Sequence, residues 1–453
     1  MVHSLAEKCN RILEEEVPSF FSTLSALGRE LYYPAGILTQ TREAREKAHR
    51  LNATIGIATV EGEPAFLPCI REHLPLLSPR ESFDYAPTCG FPALRETWRS
   101  HLMEANPLLE GKSLSLPVVT SGLTHALSIC ADLFCDPGDP VLLPDPMWGN
   151  YRMIFGTRRG AEIITYRLFD KRFRLNLEGL ASILSGLGGR SKALLVLNFP
   201  HNPSGYTPTV KEAHRLADIL EGATSSGTSL VVICDDAYFG LFYEDDVFQQ
   251  SLFSLLADRV HGLFAVKVDG PTKEDYVWGF RVGFLTFSIP GASEATYRAL
   301  EDKVGGIIRA TVSTGCTPSQ SILLRAFSSP HYRLEKEERV RMMRERYRAA
   351  RKALEAGHYD KRFLPYPFNS GYFLTVKLLE AAAEPVRRLL LEKYGVGLVS
   401  VGEEDIRIAY SCLEAGEIKE LFDILYDAAG EAASVGGNVD EGSQNRRREE
   451  EEQ

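Results

Sequence analysis

Short apolar runs alternate with helix-like segments between about residue 116 and residue 290, and this alternation restricts the fold more than any other feature. Most of the runs are apolar on both faces, which predicts strands that are covered by helices on both sides. Strands that alternate with helices form a mainly parallel sheet. The runs are LPVVT (116–120), PVLLP (140–144), AEIITY (161–166), ALLVLNFP (193–200), SLVVICDD (229–236) and GLFAVKVDG (262–270). We therefore predict an α/β three-layer sandwich.

Two further segments complete the prediction for this region. VWGFRVGFLTF (277–287) is rich in β-forming residues and predicts another strand. Thr207 and Pro208 predict the N-cap and first turn of a helix over VKEAHRLADIL (210–220), whose apolar residues fall on one stripe.

The chain has 453 residues, which favours two domains, and its pattern changes after about residue 330. A long charged helical run (331–357) is followed by two strand-like pieces, YFLTVKLL and DIRIAYSCL, with an amphipathic segment between them. These elements predict a smaller α+β domain. The predicted units are an N-terminal segment joining the small domain (1–75), a large domain (76–328), a C-terminal small domain (329–432) and a disordered acidic tail (433–453).

Charge and cysteine usage exclude several classes of protein. The net charge of -10 argues against a nucleic-acid partner, which normally requires a basic face. The eight cysteines lack the spacing of zinc ligands, so we predict no metal site and a reducing compartment. The first residues carry acids where a signal peptide needs an apolar run, and no apolar stretch approaches the ~20 residues of a membrane helix. The prediction is a soluble cytoplasmic protein without membrane contact.

Polar residues follow three of the predicted strands. Asn202 lies in NFPHNPSG, Asp235 and Tyr238 lie in DDAY, and Lys273 lies in DGPTKEDYVWGFRVG. Taken singly, each is more simply explained by a turn, a helix cap or a core tyrosine. Open parallel sheets bind ligands beyond the carboxyl ends of their strands. The coincidence of these residues at one edge of one sheet therefore predicts a binding site.

Several motifs occur in an order that resembles the class I/II aminotransferases of the aspartate aminotransferase fold type. They are LNATIGIATVEGEPAFLPCIREHL, DYAPTCGFPALRETW, VVTSGLTHAL, PDPMWGNY, NFPHNPSG, DDAY, TKEDYVWGFRVG and DIRIAYS, between Asn52 and Ile408. The resemblance implies pyridoxal phosphate as cofactor, the fold type I architecture of pyridoxal-phosphate-dependent transferases, and a homodimer. It also implies a ping-pong transamination between an L-amino acid and a 2-oxo acid.

The same resemblance assigns the catalytic residues. Lys273 would hold the cofactor as a Schiff base and, with a pKa tuned toward ~7–8, would also move protons. Asp235 would contact the pyridine nitrogen and keep the ring an electron sink. Tyr238 and Asn202 would hydrogen-bond the phenolic oxygen. Lys267 is the rival lysine, and its simpler interpretation is an edge or helix-facing residue that snorkels to water.

The phosphate group would lie at the start of a helix, where free N–H groups and the helix dipole favour an anion. The resemblance implies contacts from Gly122, Leu123, Thr124 and Arg281, and from Tyr85 of a second subunit.

Three further residues concern the cofactor. Trp148 would stack on its ring. The family often has a hydroxyl residue three positions before the lysine, where this chain has Gly270, and Thr272 is the candidate to replace that phosphate contact.

The substrate contacts are predicted mainly from arginines. Arg407, flanked by isoleucines on an apolar strand, is placed for the α-carboxylate, which a bidentate guanidinium fits. Gly36, Ile37 and Phe373 are expected to form pocket walls. Arg309 aligns loosely with the arginine that reaches the distal carboxylate in dicarboxylate-specific members, so dicarboxylic substrates are an open possibility.

Two alternatives stay open. A pyridoxal-phosphate-dependent C–S lyase or related synthase would use the same lysine. A non-catalytic, cofactor-binding regulator ranks lower, because such proteins usually carry a DNA-binding helical module, whereas both ends of this chain are acidic.

Overall fold

The structure is a computed structural model that describes residues 3–22, 24–31, 37–188, 190–225 and 227–451. The helices are α1 (Ser4–Glu16), α2 (Pro18–Ser22), α3 (Ala26–Glu30), α4 (Ile37–Lys47), α5 (Pro68–Arg71), α6 (Pro79–Phe83), α7 (Pro92–Ala105), α8 (Leu123–Phe134), α9 (Leu177–Ser185), α10 (Val210–Thr224), α11 (Leu252–Leu256), α12 (Pro271–Glu274), α13 (Glu294–Thr311), α14 (Thr317–Phe327), α15 (Tyr332–Ala356), α16 (Ala383–Lys393) and α17 (Ile418–Glu451). The strands are β1 (Leu51–Asn52), β2 (Thr59–Val60), β3 (Glu63–Pro64), β4 (Val118–Thr120), β5 (Pro140–Asp145), β6 (Glu162–Arg167), β7 (Lys192–Asn198), β8 (Ser229–Asp235), β9 (Leu263–Asp269), β10 (Gly283–Ser288), β11 (Phe363–Pro365), β12 (Leu374–Leu378), β13 (Val396–Gly397), β14 (Val399–Ser400) and β15 (Asp405–Ile408).

A seven-stranded sheet in the order β4-β10-β9-β8-β7-β5-β6 forms the centre of the molecule. Its strands are parallel except for β10, which pairs antiparallel with both β4 and β9. The prediction of a mainly parallel sheet is thereby confirmed. The strand predicted over residues 277–287 is too long, because β10 begins at Gly283. The preceding residues form a turn that contains Arg281 in the left-handed region at φ 54°.

Apolar residues on both faces of these strands explain why helices cover the sheet on two sides. In β8, Val231 and Ile233 belong to one buried cluster, whereas Leu230 and Val232 belong to the other. Helices α9 and α10 contribute leucines to the second cluster, and α8 and α14 contribute to the first. Each fully buried aliphatic side chain stabilises the fold by roughly 1.5–3 kcal/mol. The result is the expected three-layer arrangement.

The N-cap of helix α10 lies two residues later than the sequence suggests. Thr209, and not Thr207 with Pro208, is the N-cap, and it forms a capping box with Glu212. The hydroxyl of Thr209 accepts from the backbone N–H of Glu212 (3.3 Å), and the Glu212 carboxylate accepts from the N–H of Thr209 (2.9 Å). Thr207 instead donates its backbone N–H to Asn369 Oδ1 (2.8 Å). Its role is therefore to join two distant parts of the chain.

The C-terminal part contains an antiparallel sheet in the order β11-β12-β15-β14, with the 25-residue helix α15 before it. The N-terminal segment joins this part, since β1 pairs parallel with β13. In addition, Ala409 donates its backbone N–H to the carbonyl of Ala53 (2.9 Å).

Helix α17 continues to Glu451 and so runs through the segment from residue 433 for which the sequence predicts a disordered acidic tail. A helix that starts on a packed segment extends without a new nucleation step, which allows the backbone to continue as a helix there. The boundaries of the predicted units, at residues 76, 329 and 433, stay predictions. Over the described ranges, no helix is both long enough and apolar enough to cross a bilayer.

Candidate functional site

The carboxyl ends of the parallel strands meet at one edge of the central sheet. Because β10 is antiparallel to both of its neighbours, β4 runs in the same direction as β9, and the end of β4 lies at this same edge. A cavity opens there, as expected for an open parallel sheet. It is lined by Leu123, Thr124, Leu127, Trp148, Tyr151, Asn198, Asn202, Asp235, Ala237, Tyr238 and Lys273. The structure thus brings together most of the residues predicted to bind the cofactor.

Asp235 is the buried carboxylate of this cavity. It is the last residue of β8, and it accepts hydrogen bonds from the Tyr151 hydroxyl (2.5 Å) and from the backbone N–H of Ala237 (3.2 Å). Burial raises the pKa of Asp235, while the hydrogen bond from Tyr151 and the charge of Lys273 oppose that rise. Within the described chain, no cation lies at ion-pair distance from this carboxylate.

Tyr151 and Asn198 are site residues that the sequence reasoning missed. Tyr151 closes the PDPMWGNY motif and immediately precedes a π-helical stretch, Arg152–Thr157, so its place in the motif was the available signal. Asn198 ends β7, donates its side-chain amide to the carbonyl of Asp235 (2.8 Å) and accepts from the N–H of Asn202 (2.8 Å). Both residues fix the groups that face the cavity.

Lys273 is the lysine of the cavity. It lies in the one-turn helix α12, is half-buried, and has its Nζ 5.0 Å from the centre of the Tyr238 ring. Burial lowers the pKa of Lys273 to about 8, with Asp235 opposing the shift and Arg281 reinforcing it. Such an amine is neutral in an appreciable fraction near pH 7, which a nucleophile or proton acceptor requires.

Lys267 is a structural residue, and the prediction that it snorkels to water is wrong. It is fully buried on β9, where it pairs with Asp236 and with Asp269 (3.1 Å). Burial alone lowers the pKa of Lys267, but the two carboxylates outweigh it and raise the value. The register places Lys267 opposite Cys234, so Lys267 and Asp236 share the face that Asp235 does not occupy.

A cradle for an anion lies at the start of α8. Gly122, at φ 84°, caps the helix, and the guanidinium of Arg281 packs against it so closely that a Cβ on Gly122 would lie 2.4 Å from Nη2. A Cβ on Gly283 would lie 2.8 Å from the carbonyl carbon of Gly122. Both positions therefore require glycine. The helix start and the adjacent cation favour a bound anion together.

Gly270 stands where the resembling family often has a hydroxyl residue, and the packing around it explains why glycine occupies this position. A Cβ there would lie 2.9 Å from Gly283 Cα and 3.0 Å from the Val282 carbonyl oxygen, so a hydroxyl residue does not fit without a shift. Thr272 is buried, and its hydroxyl points to the Val282 carbonyl (3.5 Å). Thr272 also does not line the cavity. The packing therefore gives no support to Thr272 as a replacement for the phosphate contact.

Arg407 is a buried cation without an acid partner in the described part of the chain. It donates Nη2 to the carbonyl of Thr54 (2.8 Å) and Nη1 to Asn202 Oδ1 (3.3 Å), while its buried Nε has no acceptor. Its guanidinium carbon lies 4.3 Å from the centre of the Phe373 ring. Burial lowers the pKa of Arg407 to about 10. A buried guanidinium in this state is suited to a carboxylate ligand.

Tyr238 and Trp148 complete the walls. Tyr238 is buried and lies edge-on to Phe373, with ring centres 5.5 Å apart, and burial raises the pKa of its phenol so that the proton stays available for donation. Trp148 is half-buried and meets Tyr151 edge-on, with ring centres 5.3 Å apart.

Two predicted residues lie away from the cavity of their own chain. Tyr85 is 90% exposed, and Arg309 is exposed on α13, where Nη1 donates to Ser313 Oγ (2.6 Å). Their predicted roles require a second subunit. Gly36 and the side chain of Ile37 lie outside the described residues.

Comparison with known proteins places these features in a family. Residues 52–425 match the family described as aminotransferase class I and II. The chain is 30% identical over 254 residues to a probable aspartate/prephenate aminotransferase of Aquifex aeolicus, covering 56% of this chain and 60% of that protein. It is 27% identical over 202 residues to the tyrosine aminotransferase of Bos taurus, covering 44% and 41%. The matched stretch thus spans about half the length of these relatives.

Solved structures show the same fold. An aminotransferase from Anaerococcus prevotii superposes with a TM-score of 0.78 at 22% identity, covering 90% of this chain and 99% of the other. The aromatic-amino-acid aminotransferase of Burkholderia pseudomallei, covalently bound to pyridoxal phosphate, superposes with a TM-score of 0.70 at 20% identity, covering 90% and 100%.

Proposed function

The chain belongs to the class I and II aminotransferase family, and on that basis we propose that it is a pyridoxal-phosphate-dependent aminotransferase. It would move an amino group between an L-amino acid and a 2-oxo acid in a ping-pong reaction. The observation that carries the proposal is the pairing, in one cavity, of a lysine whose pKa is lowered to about 8 with a buried carboxylate that has no ion-pair partner in the described chain. Perturbed groups of this kind cluster at functional sites.

The residues of the cavity fit the cofactor group by group. Lys273 would bind its aldehyde carbon and Asp235 its ring nitrogen. Tyr238 and Asn202 would donate to its phenolic oxygen, and Trp148 would cover its ring. The phosphate would lie between the start of α8 (Gly122, Leu123, Thr124) and Arg281, where the two required glycines leave room for close approach. When bound, pyridoxal phosphate supplies a ring that accepts the electron pair released at the substrate's α-carbon.

The chain's own groups would then move the protons. The amine of Lys273 would take the proton from the α-carbon once the substrate has displaced it, and would return it at the cofactor's former aldehyde carbon. Asp235, oriented by Tyr151 and by the N–H of Ala237, would hold the proton on the ring nitrogen. Arg407 would bind the α-carboxylate and so fix which bond at the α-carbon faces Lys273.

Substrate choice and assembly belong to the same proposal. We propose a homodimer in which Tyr85 and Arg309 each serve the site of the partner, Arg309 reading the distal carboxylate of a dicarboxylic substrate. The packing of Gly305 on α13 supports this, because Gly305 lies so close to Cys89, four residues after Tyr85, that a Cβ on it would lie 3.3 Å from Cys89 Sγ. The Tyr85 loop and the Arg309 helix therefore share one side of the subunit. The eight free cysteines support a cytoplasmic location.

A half-reaction screen tests the proposal. The purified protein is loaded with pyridoxal phosphate, and its absorbance is followed against single amino acids; we expect aspartate, glutamate or an aromatic amino acid to bleach the imine band. Borohydride reduction followed by peptide mass spectrometry should place the label on Lys273. Lys273→Ala should lose both the band and turnover. A colourless protein, or a label on Lys267, would contradict the assignment.

Product analysis separates the C–S lyase from the aminotransferase. With a second 2-oxo acid supplied as acceptor, an amino acid with a sulfur leaving group should give its own oxo acid, and the acceptor should become a new amino acid. Formation of pyruvate and ammonia instead would favour the lyase.

A further inference from the structure

The turn that carries Lys273 is too short to hold its own position. Helix α12 is a single turn of four residues, and the N–H of Asp275 closes it onto the carbonyl of Pro271 (3.0 Å). A first helical turn is unfavourable by itself because it fixes many backbone angles for one hydrogen bond. The position of the Lys273 amine must therefore be fixed by contacts from other elements.

Those contacts come from the C-terminal part of the chain. On one side, the hydroxyl of Tyr372 donates to the backbone carbonyl of Lys273 (2.8 Å). On the other side, Lys336 on α15 pairs with Glu274 (2.6 Å) and with Asp275 (3.1 Å), the two residues that follow Lys273. The Tyr332 hydroxyl, also on α15, donates to Asp275 (2.8 Å).

Lys336 is the cation that makes this arrangement possible. Glu274 and Asp275 are adjacent and buried, and burial raises the pKa of Glu274 to about 7 while the charge of Lys336 opposes that rise. Within the described chain, Lys336 is the cation at ion-pair distance from either of them. Without it, the pKa of Glu274 would rise further and the buried Asp275 carboxylate would be left without a cation, so the turn would move to bring that carboxylate to water.

We propose that Lys336 is a positioning residue for the reaction, holding the Lys273 amine at its working position through Glu274 and Asp275. The inference rests on the proposed function, and it gives helix α15, which carries Lys336, a role in the reaction. Because Lys336 and Tyr372 both belong to the C-terminal part, the placement of that part against the sheet sets the reach of the amine.

A second feature makes the inference testable. Lys336 and Glu274 line a cavity of about 670 Å³, separate from the one that holds Lys273. The side chain of Lys336 is one quarter exposed, so solutes can reach its position. A small primary amine could therefore enter the space left by a truncated side chain.

The experiment compares Lys336→Ala with Lys336→Arg and with Arg333→Ala in the full chain loaded with cofactor. Arg333 is the matched control, since it lines the same cavity from the same helix but pairs with Glu104 (2.7 Å) at the surface. A misplacement of about 1 Å should lower kcat of Lys336→Ala by ~10–100-fold with little change in KM. Lys336→Arg should keep most of the turnover, and Arg333→Ala should match the wild type.

A readout independent of turnover is the reactivity of Lys273 in the cofactor-free protein. Competitive acetylation followed by mass spectrometry gives the apparent pKa of each lysine. In Lys336→Ala a loosened turn lets water reach the Lys273 amine, so the pKa of Lys273, which burial lowers to about 8, should rise toward that of a free lysine. Ethylamine should restore part of the lost turnover in Lys336→Ala but not in Lys336→Met, where the space is filled.

The outcomes separate this inference from the proposed function. A wild type without any half-reaction overturns both. An active wild type with unchanged kcat and unchanged Lys273 reactivity in Lys336→Ala overturns the positioning role alone. If Lys336→Ala does not fold, Lys336→Met, which fills the space but leaves the acids without a cation, replaces it, and wild-type kcat with wild-type Lys273 reactivity in that variant overturns the inference equally.

Discussion

The hydroxyl of Tyr151 donates a hydrogen bond to the buried carboxylate of Asp235, and we expect its loss to weaken cofactor binding. Tyr151→Phe keeps the ring and removes one hydrogen bond of 2.5 Å to a buried carboxylate. A hydrogen bond to a charged group contributes about 1.5–3 kcal/mol. The other contact of the carboxylate, with the N–H of Ala237, remains. The variant should therefore fold, with Asp235 less able to stay ionised.

The consequence for the cofactor follows from this change. The hydrogen bond from Tyr151 lowers the pKa of Asp235, so its removal raises that pKa further. A protonated Asp235 cannot hold a proton on the ring nitrogen, and the lost ~1.5–3 kcal/mol corresponds to a dissociation constant for pyridoxal phosphate that is about 10–150-fold higher. Absorbance or fluorescence titration of the cofactor-free protein measures it.

The stability of the variant should also depend on pH. The folded-state pKa of Asp235 lies above its unfolded value, so the native state binds this proton more tightly. The resulting contribution to the free energy of unfolding is present at low pH and is lost as the pH rises through the folded-state value. Tyr151→Phe raises the folded-state pKa of Asp235 further, so this contribution is lost at a higher pH than in the wild type. Urea unfolding should therefore show that the variant loses more stability relative to wild type at pH 7 than at pH 4.

Tyr206→Phe is the matched control. It also removes a hydrogen bond from a tyrosine hydroxyl to a carboxylate (2.7 Å), but that carboxylate belongs to Glu212 on α10, which does not line the cavity. It should leave the affinity for pyridoxal phosphate unchanged. The reasoning is refuted if Tyr151→Phe binds the cofactor as tightly as the control does and shows the same pH dependence of stability.

Three other substitutions have defined outcomes. Gly122→Ala should weaken the binding of pyridoxal phosphate at least ~10-fold, because the new Cβ meets Arg281, and should weaken the binding of unphosphorylated pyridoxal much less. Gly138→Ala, at a similar φ but with open space around it, should leave the binding of both forms unchanged. Arg407→Lys should raise KM for an amino acid by about 10–150-fold, from the ~1.5–3 kcal/mol of a charge-assisted contact, and steady-state kinetics with an amine that lacks a carboxylate should show no such change. Lys267→Met should cost about 3–5 kcal/mol in the free energy of unfolding measured in urea, because two carboxylates lose their buried partner. An equal effect of Gly122→Ala on both cofactor forms, an unchanged KM, or an unchanged unfolding midpoint would contradict the respective prediction.

The fold was largely predictable because the burial of each strand is encoded in its own residues. The run 193–200 is apolar on both faces, and β7 is indeed covered on both. The errors lie where tertiary contacts decide. Thr207 has the character of an N-cap, but its N–H is taken by Asn369, which is 162 positions away. The residues before Gly283 are β-forming, yet Arg281 turns the chain in order to reach Gly122.

The sequence predicted most of the residues that line the cavity, but fewer of their hydrogen-bond and ion-pair partners. Asp235 ends one strand and Lys273 comes soon after another, and both positions can be predicted from the sequence. Tyr151 was missed because nothing in a single sequence shows that its hydroxyl reaches β8. Lys267 was misjudged for a related reason: a lysine in an apolar strand is explained only once the carboxylates of Asp236 and Asp269 are known to face it.

Buried charged residues in this molecule fall into two groups, those with an ion-pair partner and those without one. Lys267 is buried and pairs with two carboxylates, so its charge stabilises the fold and is not available to a ligand. Asp235 and Lys273 line the cavity, and Arg407 donates to Asn202, which also lines it. None of the three has an opposite charge at ion-pair distance among the described residues, and each has a pKa shifted by burial against its charged form. Groups left in this state are costly to the fold. They are complementary to a ligand that brings a protonated ring nitrogen to the acid, an electrophilic carbon to the amine and a carboxylate to the guanidinium. The cost is recovered only when such a ligand binds, and this is the physical reason to place the reaction at this cavity.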